Sequence, residues 1–514
     1  MPVIARQNTH IAPYWGKHRN IKLGLNQLGI RNITELMYAT LLPGLNNVSS
    51  RIRYYSFYCW IIGKFYENKV STDHQKFRQY IRRAEYLLAL INATLDDPTG
   101  VPGINYALAS KEKGNEIDLH KGIYNDDGTT EHTYWANPGG ILAQYYIASL
   151  IDMGIVGRNE VDGNLFNISK EGDFITGKKL ADTFERSVSN SSLKFIELLN
   201  SRRPINISEL EPLKDDFNMK VFRNKEEQLL LVECLLQKDY PRENINSSSH
   251  RATTIKFVLE YLSKTPHELS GQSFSKHIYD NYVSNCGSMT YWGWYAYYLD
   301  DQWQYWATKI FCEILKNLKG KNVTSISVGI EEFVTEVTTE VVSLLKCEGL
   351  LLKQFIDSLN SVNMSNQITE AFTNLLLLYK NNAQYIDRSS DNYKILNLKD
   401  ENFCNFEMLV NIWAEKRTDD FIKHYIIEEI IYKHYRVSLR KLHQTGLATQ
   451  KFIIEDGHLR YIDGWDSTYT SPRIDTLKQF LRDLGLIEDD NGLQTLTSSG
   501  KDLLNQLQNE YTER

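Results

Sequence analysis

Two stretches decide how this sequence folds: IDMGIVGRNEVDGNLFNISKEGDFIT (residues 151–176) and RDLGLIEDDNGLQTLTSSGKDLL (482–504). Both read Asp, apolar, Gly, two apolar residues, a polar turn with Gly, then Leu-x-x-(Ile/Leu)-(Ser/Thr)-x-x-Gly. Leu165, Ile168, Ser169 and Gly172 align with Leu493, Leu496, Thr497 and Gly500 at equal spacing. Each copy follows an amphipathic stretch, GGILAQYYIASLIDM (139–153) or SPRIDTLKQFLRDL (471–484). The pattern predicts a helix, a glycine stop, a short hairpin and a further helix. Gly154 and Gly485 stand where a helix C-terminus needs positive φ. Asp162-Gly163 and Asn491-Gly492 are turn pairs, and Ser169 and Thr497 are expected to cap the following helices.

This order resembles the second half of a winged-helix domain, over about 40–50 residues in each copy. The expected fold is therefore mainly α: a multi-subdomain helical protein with two winged-helix-like units carrying short β-hairpins. Four regions are expected. Residues 1–136 form a basic helical region with a Gly-rich loop, and 137–187 the first winged-helix-like unit. Residues 188–400 form a helical middle, and 401–514 a helical region ending in the second unit. Breaks are expected at 187–192, 240–250, 318–325 and 388–392, where Ser, Asn, Pro and Gly gather.

Working outward, ITELMYATLL (33–42) has helical apolar spacing. PGLNNVSS (43–50) breaks it, and Ser49 or Ser50 is expected to cap RIRYYSFYCWIIGKFYE (51–67). That helix is apolar nearly all round and is expected at the centre. A third helix over 73–95 ends before Asp97-Pro98, and 97–137 reads as loop. Near the other end, 419–444 reads as one strong helix, and KFIIEDGHLRYID (451–463) as a hairpin turning at Asp456-Gly457.

At 514 residues, 42% apolar and 24% charged, the chain has the composition of a large globular protein. No apolar run reaches the roughly 18 residues of a membrane span. The six cysteines (59, 234, 286, 312, 347, 404) form no CxxC pair and suit buried thiols of a reducing compartment, so the expected location is the cytoplasm. The net charge of −6 is uneven: residues 1–95 hold 13 Lys and Arg against 4 Asp and Glu. That basic end suits either a nucleic acid or the acidic remainder of the same chain.

Eight cations are candidate nucleic-acid contacts. Arg51 and Arg53 open a helix whose dipole disfavours them, so a phosphate, or an internal carboxylate, should compensate. Lys433, Arg436 and Arg440 share one helix side, with Lys441 and His443 nearby. Arg473, Lys478 and Arg482 lie on the helix before the second hairpin, whereas Gly139–Met153 holds no Lys or Arg. The aromatic stretch 291–315, with Trp292, Trp294, Tyr295, Tyr297, Tyr298, Trp303, Tyr305 and Trp306, reads as core, because its charges, Asp300 and Asp301, would repel phosphate. HExxH, GxxxxGK[ST], GxGxxG and GxSxG are all missing, and no cofactor is expected. His120, Asp126, Asp127 and His132 form the densest metal-ligand grouping, in a Gly-rich loop of no standard spacing. Glu226/Glu227 and Glu331/Glu332 lack the strand context of a nuclease site.

Leu28-Gly29-Ile30, Leu42-Pro43-Gly44, Arg51, Arg53-Tyr54 and Trp60-Ile61 resemble the opening of an uncharacterised family of bacterial proteins found in defence islands, beside helicases and phospholipase D-like nucleases. The resemblance covers about 45 residues. It implies an accessory role in antiphage defence and transfers no catalytic residue. The resulting expectation is a non-catalytic component that binds DNA, or bridges DNA and an effector such as a helicase or nuclease. The alternatives are a protein-binding scaffold without DNA affinity and a metal-dependent nuclease.

Overall fold

A computed structural model describes residues 26–67, 73–172, 174–237, 250–264, 266–282, 288–322, 327–360, 366–385, 402–446 and 448–512. Residues 1–25 of the basic end, Cys286, the break expected at 388–392, and residues 240–249 and 323–325 of those expected at 240–250 and 318–325 lie outside them; residues 318–321 are helical rather than a break. With 63% in helix and 7% in strand, the chain is mainly α. It divides into two compact units that cut across the four expected regions. Of the described residues, those within Ile33–Gln304, Asn381–Leu409 and Thr468–Arg514 form the larger, and those within Met1–Asn32, Tyr305–Lys380 and Val410–Ser467 the smaller.

The larger unit is built around α1 (Arg53–Glu67). Its residues Tyr54 to Ile62 are all buried, as an apolar circumference demands. Phe57 and Trp60 pack against Phe184 and Phe195 with ring centroids 5.3–6.3 Å apart. Ser49 and Ser50 do not cap this helix. Asn46 Oδ1 accepts from the Ser49 N–H and hydroxyl, and the Ser50 N–H donates to the Tyr146 hydroxyl. These bonds fasten the loop across to a later helix. The next helix, α2 (His74–Asn92), starts at an Asp73 cap that accepts from Gln75 N–H. The stretch expected as loop also carries two short helices, Ile104–Glu112 and Leu119–Ile123.

Both repeats form the expected order. In the first, a π segment (Leu142–Tyr146) runs into α3 (Ile147–Asp152), followed by β1 (Val156–Arg158), β2 (Phe166–Ile168) and α4 (Gly177–Ser187). In the second, the order is α7 (Ile474–Asp483), β6 (Ile487–Asp490), β7 (Leu493–Leu496) and α8 (Ser498–Thr512). Gly154 and Gly485 have φ of 72° and 66°. In each copy the next N–H reaches back five residues, Ile155 to the Leu150 carbonyl and Leu486 to that of Leu481, which is the Schellman stop.

The copies then differ. Asn491 (φ 53°) and Gly492 (φ 84°) make a two-residue turn between β6 and β7. Asp162-Gly163 makes no such turn: a seven-residue loop, 159–165, joins β1 to β2, and Asp162 instead accepts from Asn164. Thr497 caps α8, its hydroxyl accepting from Gly500 N–H. Ser169 holds the matching hairpin position, its N–H on the Ile155 carbonyl as Thr497's is on that of Leu486. Yet Ser169 does not precede its helix: Thr176 caps α4, and Ser169 accepts from Gly177 N–H across an intervening loop. A Cβ on Gly177 would stand 2.0 Å from the Ile155 carbonyl oxygen, and one on Gly500 2.1 Å from that of Leu486. The structural partner of Gly500 is therefore Gly177, not Gly172.

The 33-residue helix α5 (Met289–Lys321) carries the aromatic run, and Trp292, Trp294, Tyr295, Tyr297 and Trp303 are core residues. In the smaller unit, α6 (Lys433–Thr445) continues a helix from Thr418 through a π segment, Tyr425–Tyr432. There β4 (Phe452–Glu455) and β5 (His458–Tyr461) form the expected hairpin, with Asp456 and Gly457 at positive φ, and β3 (Val328–Gly329) pairs with β5.

Candidate nucleic-acid interface

Arg53 and Arg51, in the larger unit, take the internal reading. The Arg53 side chain is 1% exposed; its Nε and Nη2 donate to Glu227 at 3.1 Å, and its Nη1 donates to the Asn218 carbonyl at 2.6 Å. The guanidinium also lies 5.3 Å from the Phe184 ring centre. Ser56 adds a hydroxyl bond to Glu227 at 2.6 Å. Arg53 is thus enclosed by protein and offers no face to a phosphate. Arg51 donates from Nη1 to Asp483 at 2.7 Å, and both side chains are largely covered. Burial pushes the Asp483 carboxyl above its usual range, against the lowering pull of Arg51. Because Asp483 ends α7, this pair ties the second repeat to the start of α1.

Arg473 precedes α7 at φ 65°, donates to the Leu42 carbonyl at 2.9 Å and stands over the Tyr38 ring. It too is occupied inside the unit. Lys478 and Arg482 reach the surface of α7, where Asp475 stands 3.3 Å from the first and Asp489 2.5 Å from the second. Asp489 is held below the usual carboxylate range by the Gln494 carboxamide, the Gly492 N–H and Arg482.

The smaller unit brings Lys433, Arg436 and Arg440 to one side of α6, as spacings of three and four require. Lys433 pairs with Glu429 at 2.7 Å. Arg436 is 61% exposed and reaches Glu428 only at 3.5 Å. Arg440 is exposed, and among the described residues no carboxylate lies within ion-pair distance of it. Lys441 faces inward, donating to the Asn26 carbonyl, and burial lowers its amine pKa. Exposed ion pairs contribute about 0–1 kcal/mol and exchange readily. Lys478, Arg482, Arg436 and Arg440 can therefore turn to an outside anion; Arg51, Arg53 and Arg473 cannot without losing internal bonds.

The remaining candidates resolve structurally. Asp300 and Asp301 do not lie on the surface: both are buried. Asp300 accepts from Phe403 N–H, and Asp301 from Thr470, Gln272 and Gln304. Glu227 belongs to Arg53, and its neighbour Glu226 to Arg186. Among the described residues, His120, Asp126, Asp127 and His132 make no group of three that could hold a metal. Cys59, Cys234, Cys312, Cys347 and Cys404 are free and buried, and among the described residues no helix is long and apolar enough to cross a membrane.

Several buried charges escape sequence reading. Glu85 accepts from the Tyr58 and Tyr134 hydroxyls and from the N–H groups of Ile141 and Leu142, which open the first repeat's helix. Burial raises its carboxyl pKa, and those four donors oppose the rise. Arg251 donates to the carbonyls of Pro43, Leu235 and Gln237. Spacing shows neither, since each partner lies far off in the chain. No protein-family model, curated protein or solved structure matches this chain.

Proposed function

We propose that this chain is a non-catalytic component of a bacterial antiphage defence system that binds DNA and bridges it to an effector such as a helicase or nuclease. The observation that carries the DNA part is the outer side of α6. Arg436 and Arg440 stand one turn apart and exposed, the first weakly paired and the second without a carboxylate partner among the described residues. Two guanidiniums at that spacing suit adjacent phosphates. Lys478 and Arg482 on α7, the helix before the second hairpin, form a separate cationic face in the position a winged-helix domain uses. The defence role rests on the N-terminal resemblance alone.

The test is binding of labelled single- and double-stranded DNA to the full chain across a salt series, beside R436E/R440E. Wild type should lose affinity steeply with salt, and the variant's log–log slope should be shallower by about 2. An unchanged slope removes α6 from the interface, and no binding at low salt sinks the DNA reading.

The second reading is a protein-docking scaffold without DNA affinity. It is favoured by Leu439 and Leu442, exposed by 41% and 37% beside those arginines. Apolar side chains mixed with arginine are characteristic of protein interfaces. Under this reading the chain co-purifies with a helicase or nuclease partner while failing the salt-series assay.

A further inference from the structure

The larger unit holds a cleft of about 320 Å³ between α2, the turn before the first repeat's helix, and the β1–β2 hairpin. That volume is at the lower end for small-ligand sites. Its chemistry is unlike the rest of this acidic chain. Arg78 and Arg158 both line it, and no Asp or Glu does. Arg78 is half-buried and has no ion pair or hydrogen bond among the described residues. Arg158 gives one N–H to the Gly163 carbonyl at 2.9 Å and lies 5.6 Å over the Phe166 ring centre, so its other donors remain. A guanidinium held over an aromatic ring is already oriented, which lowers the entropy lost when it meets an anion.

The other walls supply an apolar side, where the buried Phe77 packs on the half-buried Phe166, and two carboxamides. Phe77 and Phe166 stand 6.1 Å apart at 50°. Asn137 receives the Gly139 N–H on its oxygen and keeps its NH₂ donors. Asn164 donates its NH₂ to Asp162 and keeps its oxygen as an acceptor. One spare donor and one spare acceptor beside aromatic rings match the edge and face of a nucleobase. Two guanidiniums lining one cleft without a carboxylate match the charge of a phosphate.

We infer that this cleft binds a nucleoside monophosphate, with Arg78 and Arg158 on the phosphate and the base against the half-buried Phe166. The site is independent of whether the chain binds DNA. It uses the first repeat, whose helix lacks cations of its own; the cations come from α2 and β1.

Calorimetric titration of the full chain with the four ribonucleoside 5′-monophosphates tests it, with inorganic phosphate and adenosine as part-ligands. At least one nucleotide should bind more tightly than either part. R78Q and R158Q should each weaken it about tenfold, and R78Q/R158Q should abolish it while melting within about 2 °C of wild type. Three results overturn the inference: no nucleotide binding at millimolar concentration, phosphate binding as tightly as every nucleotide, or undiminished binding in the stably folded double variant. A 5′-phosphorylated oligonucleotide binding more tightly than all four monophosphates would move the site to strand ends and overturn the free-nucleotide assignment.

Discussion

Single side chains in this protein act mostly by closing the interior around charge. His434 on α6 shows how sharply one residue is specified. Its Nδ1 donates to the Gln27 carbonyl and its Nε2 accepts from Lys451 N–H, both at 3.1 Å, so the buried ring must be neutral with its proton on Nδ1. Burial lowers its pKa to about 4, with Lys441 and Lys451 adding to the fall. The unfolded chain titrates near 6.5 and therefore binds more protons between the two values, so stability rises with pH in that window. The contribution is complete above pH ~6.5 and is lost as the pH falls toward 4, at up to about 1.4 kcal/mol per unit. H434Q removes the titration. The difference in unfolding free energy between wild type and H434Q should change across pH 4–6.5 and stay flat above it. A difference independent of pH would refute the neutral, buried assignment. The sequence offers no sign of this, because Gln27 and Lys451 are distant in the chain. Arg51 and Arg53 were legible to a point: cations at a helix start demand an anion. Which anion they find depends on long-range packing.

Among the elements, the repeat was the most legible feature, because its glycines answer local needs. Helix stops and tight turns are set by φ within a few residues. The loop from Ser169 to α4 was not legible, since equal spacing in sequence had aligned Gly172 with Gly500. What fixes Gly500 is contact with the Leu486 carbonyl, a tertiary approach that Gly177 reproduces in the first copy. The hairpin tips allow a test of the dihedral argument alone. Gly163 and Gly492 both have open space where a Cβ would go, but only Gly492 has positive φ. G492A should cost about 1 kcal/mol from the left-handed conformation, whereas G163A should be neutral within ~0.5 kcal/mol. Equal losses in urea unfolding would mean that the tips differ in something other than backbone strain.

At the scale of the whole chain, residues distant in sequence complete one another, and this is why domain order was the least legible property. Composition and turn signals mark boundaries along a chain, but not which segments return to the same core. The larger unit recovers Thr468–Arg514 after a long excursion. That segment brings Asp483 to Arg51, Phe480 to within 5.6 Å of the Tyr55 ring, and Gln494 into paired backbone bonds with His267. Asp301 is buried, and it accepts two hydrogen bonds from Thr470 and one from Gln272. A chain ending at Ser467 would therefore not release a separable module made of the second repeat. It would leave Arg51 without its carboxylate, Asp301 without Thr470, and part of the α1 core open to water. Removing one partner of a buried charge typically costs about 3–5 kcal/mol, much of a typical domain's 5–15 kcal/mol net stability. The truncated chain 1–467 should aggregate, or lose its cooperative melt and be cleaved rapidly by protease within residues 33–304. Purified 1–467 with a wild-type melting temperature would show instead that the last repeat docks onto a finished fold.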